Sequence, residues 1–148
     1  MLALLLPRIA LAEASEFQPR ALGAANDYDN AKKAIERKDW KTAIASLDSA
    51  ARSDPQDADI QNLLGYSHRK SGNLDLAFRH YGRALELNPK HLGAHEYVGE
   101  AYLMVNNLAK AREHLFQLET LCQAQCEERE DLKKAIADYE QRSRRAGR

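Results

Sequence analysis

The residues of this chain best suited to covalent or metal chemistry are its two cysteines, Cys122 and Cys126. A C-x3-C pair can form a disulfide, serve as a thiol redox centre, or bind a soft metal such as copper. The adjacent acids Glu127 and Glu128 disfavour a reactive thiolate, and no His or Met lies next to the pair as a further metal ligand. We therefore predict a structural disulfide formed across a loop. Unpaired thiols and a thiol redox or copper relay are the alternatives.

The histidines are the second candidate set for chemistry. His91 and His95 are four residues apart and could share one helix face, but no carboxylate or cysteine accompanies them at ligand spacing. We interpret them as surface histidines, and we place His80 and His114 on the outside of the fold. The chain has no Gly-rich phosphate loop, no H-E-x-x-H motif and no nucleophile elbow. We predict no metal, no cofactor and no catalytic residue, and hence a protein that is not an enzyme.

Length and charge narrow the possible partners. The chain has 148 residues, which corresponds to one domain. Lys and Arg together number 22, as do Asp and Glu, so the formal net charge is zero. A chain without net positive charge does not attract a polyanion over a distance, so we expect no binding to nucleic acid or to an anionic membrane surface.

The N-terminal segment differs in kind from the remainder. Residues 1–12 contain six Leu or Ile, no acid and a single charge at Arg8. Small residues allow cleavage after Ala12 or Ala14, so we predict a signal peptide and an exported, periplasmic protein, with a cytoplasmic location as the alternative. The segment is too short to span a membrane, which takes about 20 apolar residues. Residues 13–23 have no apolar period and predict a flexible lead-in.

A 34-residue interval organises the following hundred residues. Pro55 and Pro89 are separated by it, and each would end a helix, because the residue before a proline disfavours helical geometry. A fixed period of this length indicates stacked helical hairpins. We predict an all-α α-solenoid with three repeats, 24–57, 58–91 and 92–125. Small residues recur in both helices of each repeat and should let the paired helices approach closely. They are Ala31, Gly65 and Gly99 in the first helices and Ala43, Ala77 and Ala111 in the second helices.

Short turns should separate the two helices of each repeat. Asp39, Asn73 and Asn107 are placed to cap the first free amides of the second helices. Gly72 can take the left-handed conformation that ends a helix, and Asn106 can do so less readily. The turns therefore support the same division into hairpins.

Residues 126–148 predict one more helix and a basic tail. Leu132, Ala135, Ile136 and Tyr139 fall on one stripe, while acids crowd the first turn and arginines follow the last. A stacked array needs a terminal helix to cover its last exposed core surface. We interpret this segment as that capping helix.

Taken together, these positions resemble the tetratricopeptide repeat (TPR) family, whose 34-residue unit carries small, aromatic and proline residues at fixed places. The first repeat departs from the pattern in its first helix, where Asn30 and Ala31 replace Leu-Gly. The C-x3-C followed by Glu-Glu also resembles the ending of small exported bacterial TPR proteins. The second repeat matches best, at Leu64, Gly65, Gly72, Ala77, Tyr81, Ala84 and Pro89.

The resemblance implies that the first helices of the repeats line a groove for a protein or peptide. We therefore expect a non-enzymatic adaptor or scaffold in the bacterial envelope, or alternatively a structural subunit that uses the convex face. The family's clamp for a chaperone's C-terminal carboxylate is absent, since its positions hold Tyr28, Lys32, Leu63, Gly93 and Tyr97. The groove is expected to be basic and aromatic in its middle and acidic at one end, with Tyr28, Lys32, Asn62, Tyr66, Arg69, Lys70, Glu96 and Glu100 as its candidate contacts.

Overall fold

Residues 22–147, the part of the chain that the computed structural model describes, form seven α-helices and no strand. The predicted all-α solenoid of three hairpins and a capping helix is confirmed. The predicted signal peptide and most of the lead-in lie outside the described residues. Leu22 and Gly23, at the end of the predicted lead-in, are the first residues of α1. The helices are α1 (Leu22–Glu36), α2 (Trp40–Ser53), α3 (Ala58–Lys70), α4 (Leu74–Leu87), α5 (Leu92–Met104), α6 (Leu108–Leu121) and α7 (Glu127–Ala146).

The turns within the hairpins follow the predicted chemistry. Side-chain oxygens of Asp39, Asn73 and Asn107 each accept a hydrogen bond from the backbone N–H three residues later, at 3.1, 3.2 and 3.1 Å. These bonds satisfy amides that a helix start otherwise leaves free. Gly72 and Asn106 have positive φ angles of 90° and 58°, and Lys38, which was not predicted to, also has 58°.

Close packing around the small residues determines how the helices stack. The four alanines among these positions, Ala31, Ala43, Ala77 and Ala111, are fully buried. A Cβ at Gly65 would lie 2.5 Å from the ring of Tyr81 on α4, so this glycine lets the ring lie directly on α3. A Cβ at Gly99 would instead meet Leu132 of α7 at 2.6 Å. The predicted close approach thus holds within the second hairpin, whereas at Gly99 the closest group comes from the capping helix.

A methyl group at Gly65 should therefore destabilise the protein. We expect Gly65→Ala to lower the free energy of unfolding by about 1–3 kcal/mol, because the buried Tyr81 ring must shift. Gly82→Ala on the exposed face of α4 is the matched control, since nothing lies within 4 Å of its added Cβ. That control should raise stability by about 0.5–1 kcal/mol through helix propensity. Urea unfolding measures both, and a stabilising Gly65→Ala would contradict this packing.

The capping helix α7 packs on both α5 and α6. Leu132 and Ile136 are buried in one cluster with Leu103, Ala111 and Leu118, as the apolar stripe predicts. Further along the same stripe the Tyr139 hydroxyl donates to Asn106 Oδ1 at 3.3 Å. By covering α5 as well as α6, α7 also borders the face on which the candidate groove residues lie.

Candidate partner-binding groove

Aromatic rings join the first helices of the second and third repeats. Tyr66 of α3 lies 4.9 Å from Tyr97 of α5 and 6.0 Å from Trp40 of α2, measured between ring centroids. Aromatic pairs at these distances favour tilted or edge-on geometries like those seen here. Tyr66 is only half-buried, so part of its ring remains open to a partner.

Arg69 is engaged within the protein. Its side chain is buried, its Nη2 is 2.7 Å from Glu100 Oε2, and its Nε donates to the Tyr81 hydroxyl at 3.2 Å. The guanidinium carbon also lies 5.5 Å from the centre of the Tyr66 ring and 5.6 Å from that of Tyr97. Burial raises the pKa of the Tyr81 phenol above its ordinary value, which keeps the hydroxyl neutral. Arg69 therefore ties α3 to α4 and α5.

Asn62 and Glu96 are also deeply buried. Asn62 is 5% exposed, and its Oδ1 has no hydrogen-bond partner. Glu96 is 8% exposed, and burial together with the nearby Glu100 raises its pKa to about 8. At neutral pH the Glu96 carboxyl is therefore mostly protonated. The predicted acidic end of the groove carries less charge than its composition indicates.

The remaining predicted contacts lie nearer the surface. Lys32 and Lys70 are exposed, while Tyr28 and Glu100 are half-buried. Each lysine lies over a ring, with Lys32 Nζ 5.8 Å from the Tyr28 centroid and Lys70 Nζ 5.4 Å from that of Tyr66. These cation–π contacts hold positive charge beside accessible aromatic surface.

The capping helix adds residues to this region that the sequence analysis missed. A cavity of about 350 Å³ lies where the ends of α3 and α5 meet α7. The spacing of the three α7 residues, 135, 138 and 142, is that of one helix face and could have signalled a shared surface. The cavity is lined by Arg69, Lys70, Glu100, Leu103, Met104, Ala135, Asp138 and Arg142.

The two cysteines form the predicted disulfide. Cys122 and Cys126 are bonded, with Cα atoms 5.8 Å apart, across the loop between α6 and α7. This separation lies within the usual range for a disulfide. While the bond is intact, neither sulfur is available as a thiolate.

The histidines lie between helices, and the prediction that His95 is a surface residue was wrong. His95 is buried where α5 packs on α6, and its ring is satisfied there, with Nε2 2.9 Å from the Pro89 carbonyl oxygen and Nδ1 3.0 Å from His114 Nδ1. His80 Nδ1 makes the corresponding contact one repeat earlier, with Gln61 Oε1 at 2.9 Å. Burial, followed by the charge of His95, lowers the pKa of His114 to about 4. His80 and His114 therefore pack inside their hairpins, contrary to the expected position on the outside.

Two properties of the described residues bear on other functions. Between residues 22 and 147, no three His, Cys, Asp or Glu side chains are grouped so that they could hold a metal ion. In the same range, no helix combines the length and apolar character needed to cross a bilayer.

Comparisons with known proteins identify the repeat. A family model described as tetratricopeptide repeat matches residues 58–91, which contain α3 and α4. The human protein O-mannosyl-transferase TMTC3 is 25% identical over 83 residues, or 56% of this chain. The chain spans only 9% of the length of that relative.

Solved structures match a larger part of the chain. The TPR2B domain of yeast Sti1, in complex with pHsp70, superposes with a TM-score of 0.75 and 18% identity, covering 82% of this chain and 99% of that domain. The Yersinia enterocolitica type III secretion chaperone SycD, bound to a peptide of the translocator YopD, gives a TM-score of 0.70 and 19% identity, covering 80% and 93%. MamA from Desulfovibrio magneticus RS-1 gives 0.64 and 21%, covering 68% and 56%. This chain therefore contains a tetratricopeptide repeat at residues 58–91 and has the fold of tetratricopeptide-repeat proteins.

Proposed function

We propose that this protein is a non-enzymatic adaptor that holds a protein or peptide segment along the face of α1, α3 and α5. The half-buried ring of Tyr66 carries the proposal, since it lies between Trp40 and Tyr97 with Lys70 over it. Tyrosine is enriched at binding hot spots because it offers a rigid apolar surface with a polar end. The similar Sti1 and SycD structures, which are complexes with pHsp70 and a YopD peptide, support a binding role.

The distribution of charge supports a preference for a partner segment that is acidic or otherwise electron-rich. Lys32 and Lys70 are exposed at the face of α1 and α3, whereas the buried Arg69 is already neutralised by Glu100. Opposite charges across an interface increase association rate and specificity. An acidic or otherwise electron-rich segment should therefore lie over the first two repeats. The replaced clamp positions, among them Gly93 and Tyr97, argue that this segment is not a chaperone's C-terminal tail.

Charge reversal at the two exposed lysines tests this assignment. Lys32→Glu with Lys70→Glu should weaken capture of the partner from cells by about tenfold or more, because like charges would then face each other. The matched control is Lys41→Glu with Arg79→Glu, the same change of charge at exposed positions of α2 and α4. Quantitative pull-down followed by mass spectrometry gives the readout. Equal capture by both double variants would refute the groove assignment.

We also propose that the protein is exported and acts in the periplasm. The composition of residues 1–12 supports export. The bond between Cys122 and Cys126 supports an oxidising compartment, where such bonds persist. The N-terminal residue of the mature protein tests the proposal, since a chain that begins after Ala12 or Ala14 was processed. A chain that retains Met1 and fractionates with the cytoplasm would favour the alternative location.

A second candidate function uses the outer helices. Phe116 on α6 is 63% exposed, which is unusual for a large aromatic side chain without a partner. A structural subunit of an envelope assembly could dock through this side of the array. Phe116→Ser would then remove the protein from its assembly, whereas the adaptor function predicts no change.

A further inference from the structure

The cavity where α3, α5 and α7 meet has the size and the exposure of a ligand site. Its volume of about 350 Å³ lies within the range of small-molecule pockets, about 300–1,000 Å³. Each of the three helices contributes one exposed side chain to its wall, namely Lys70 on α3, Met104 on α5 and Arg142 on α7. The cavity can therefore be reached from solvent, and the capping helix forms part of it.

Both carboxylates in the wall of this cavity already have a partner. Glu100 Oε2 is 2.7 Å from Nη2 of the buried Arg69. Asp138 Oδ2 accepts a hydrogen bond at 2.6 Å from Nζ of Lys134, one turn earlier on α7. The bond to Lys134 lowers the pKa of Asp138, and the charge of Arg142 adds a smaller effect. Neither acid therefore requires another cation in the cavity.

The two exposed cations in the wall have no such partner. Lys70 and Arg142 form no ion pair with any residue from 22 to 147, and Lys70 Nζ lies 5.4 Å from the Tyr66 centroid. The wall contains three cationic and two acidic side chains, so it has one excess positive charge. It should therefore attract a group with a single negative charge. A phosphate group carries nearly two charges at neutral pH, and the two carboxylates would repel it more strongly.

Apolar surface lies beside the two cations. Leu103, Met104 and Ala135 also line the cavity. Met104 is 53% exposed, and Val105, which follows it, is 45% exposed. Exposed apolar surface with a polar rim is typical of interaction sites, and a methionine side chain adapts readily to the shape of a partner. The ligand should therefore carry an apolar group next to its negative charge.

We propose that this cavity binds an acidic side chain of the partner segment, with a neighbouring apolar side chain of the same segment on Met104. This inference rests on the proposed groove function and extends its binding surface to the capping helix. The Arg142 guanidinium donates N–H bonds to the carboxylate, and the Lys70 ammonium adds a second positive charge. Acidic side chains can meet both Lys32 and this cavity, whereas a segment has only one C-terminal carboxylate.

Titration with short peptides tests the cavity without the natural partner. N-acetyl-Ala-Glu-Leu-amide is added to the 15N-labelled protein at pH 7, and N-acetyl-Ala-Gln-Leu-amide, which has nearly the same shape without the charge, is the control. We expect shifts centred on the backbone amides of residues 70, 104 and 142, with the glutamate peptide binding about tenfold more tightly.

Substitutions at the exposed end of α7 assign the effect to one side chain. Arg142→Gln should reduce the affinity for the glutamate peptide to that for the glutamine peptide. Arg142→Lys should keep part of the difference, because lysine retains the charge and loses the planar fork of donors. Arg144→Gln is the matched control and should change nothing, since a residue two positions along the helix faces another side and Arg144 does not line the cavity.

Three results would overturn this site. They are equal or absent binding of the two peptides, unchanged binding of the glutamate peptide by Arg142→Gln, and tighter binding of N-acetyl-Ala-Gln-Leu with a free C-terminus, which would assign the cavity to a chain end. Any of them, obtained while Lys32→Glu with Lys70→Glu captures less partner than its control, refutes the site and leaves the groove function standing. Failure of the groove function would instead appear as equal capture by both charge-reversal variants.

Discussion

Replacing Arg69 with methionine should lower the free energy of unfolding by about 3 kcal/mol. The buried guanidinium bonds Glu100 and the Tyr81 hydroxyl and lies against two tyrosine rings. Methionine fills part of the volume but leaves the carboxylate and the phenol without their partner, which is the costly way to break a buried ion pair. Urea unfolding followed by far-UV circular dichroism at pH 7 measures the loss.

Arg83 provides the matched control for this substitution. It forms an ion pair with Glu86 at 3.2 Å on the surface of α4. Exposed pairs contribute little, so Arg83→Met should cost less than about 1 kcal/mol. If the two variants lose the same stability, Arg69 does not hold the three helices together. Capture assays on Arg69 variants would in that case report binding directly and would not be confounded by unfolding.

Replacing Glu96 with glutamine should stabilise the protein at alkaline pH and change little at acid pH. The pKa of Glu96 is raised from its ordinary value of 4.5 to about 8, chiefly by burial and then by Glu100. A carboxyl whose pKa is raised on folding contributes its full stability below pH 4.5 and loses it as the pH rises through 8. Glutamine does not ionise, so the variant should gain about 2–4 kcal/mol over the natural protein at pH 9 and almost nothing at pH 4.5.

The quantity to measure is the difference in the free energy of unfolding between the Glu96→Gln variant and the natural protein. Histidines such as His114, whose pKa is lowered on folding, oppose the Glu96 effect in each protein and cancel when the curves are subtracted. Unfolding curves at half-unit intervals from pH 4.5 to 9 supply the values. Glu119→Gln should give a flat difference within a few tenths of a kcal/mol. A flat difference for Glu96→Gln as well would mean that its carboxyl is hydrated and ionised in the folded protein.

Local features of the fold could be predicted from the sequence because their causes are local. Asp39, Asn73 and Asn107 cap their helices through bonds that span three residues, and the 34-residue period places the hairpins. The disulfide was also predictable, since a loop allows two cysteines four residues apart to meet. Lys38 could not be predicted from its residue type, because its left-handed backbone follows from the turn and not from its side chain.

Burial in the candidate groove could not be predicted in the same way. The period assigns Arg69 and Glu96 to the first helices, but their depth depends on residues 12 to 35 positions away, from Tyr81 on α4 to Asp131 on α7. The placement of α7 is likewise set by Leu132 packing on Gly99. The burial of His95 depends on His114 of the neighbouring helix, although the corresponding pair of Gln61 and His80 offered a hint.

Photocrosslinking in living cells tests most directly whether the face of α1, α3 and α5 binds the partner. A benzophenone amino acid is placed at exposed Lys70 on α3 in one variant and at exposed Phe116 on α6 in another. The groove assignment predicts a discrete adduct from position 70 and none from position 116. An adduct from position 116 alone would contradict it and would assign binding to the outer helices.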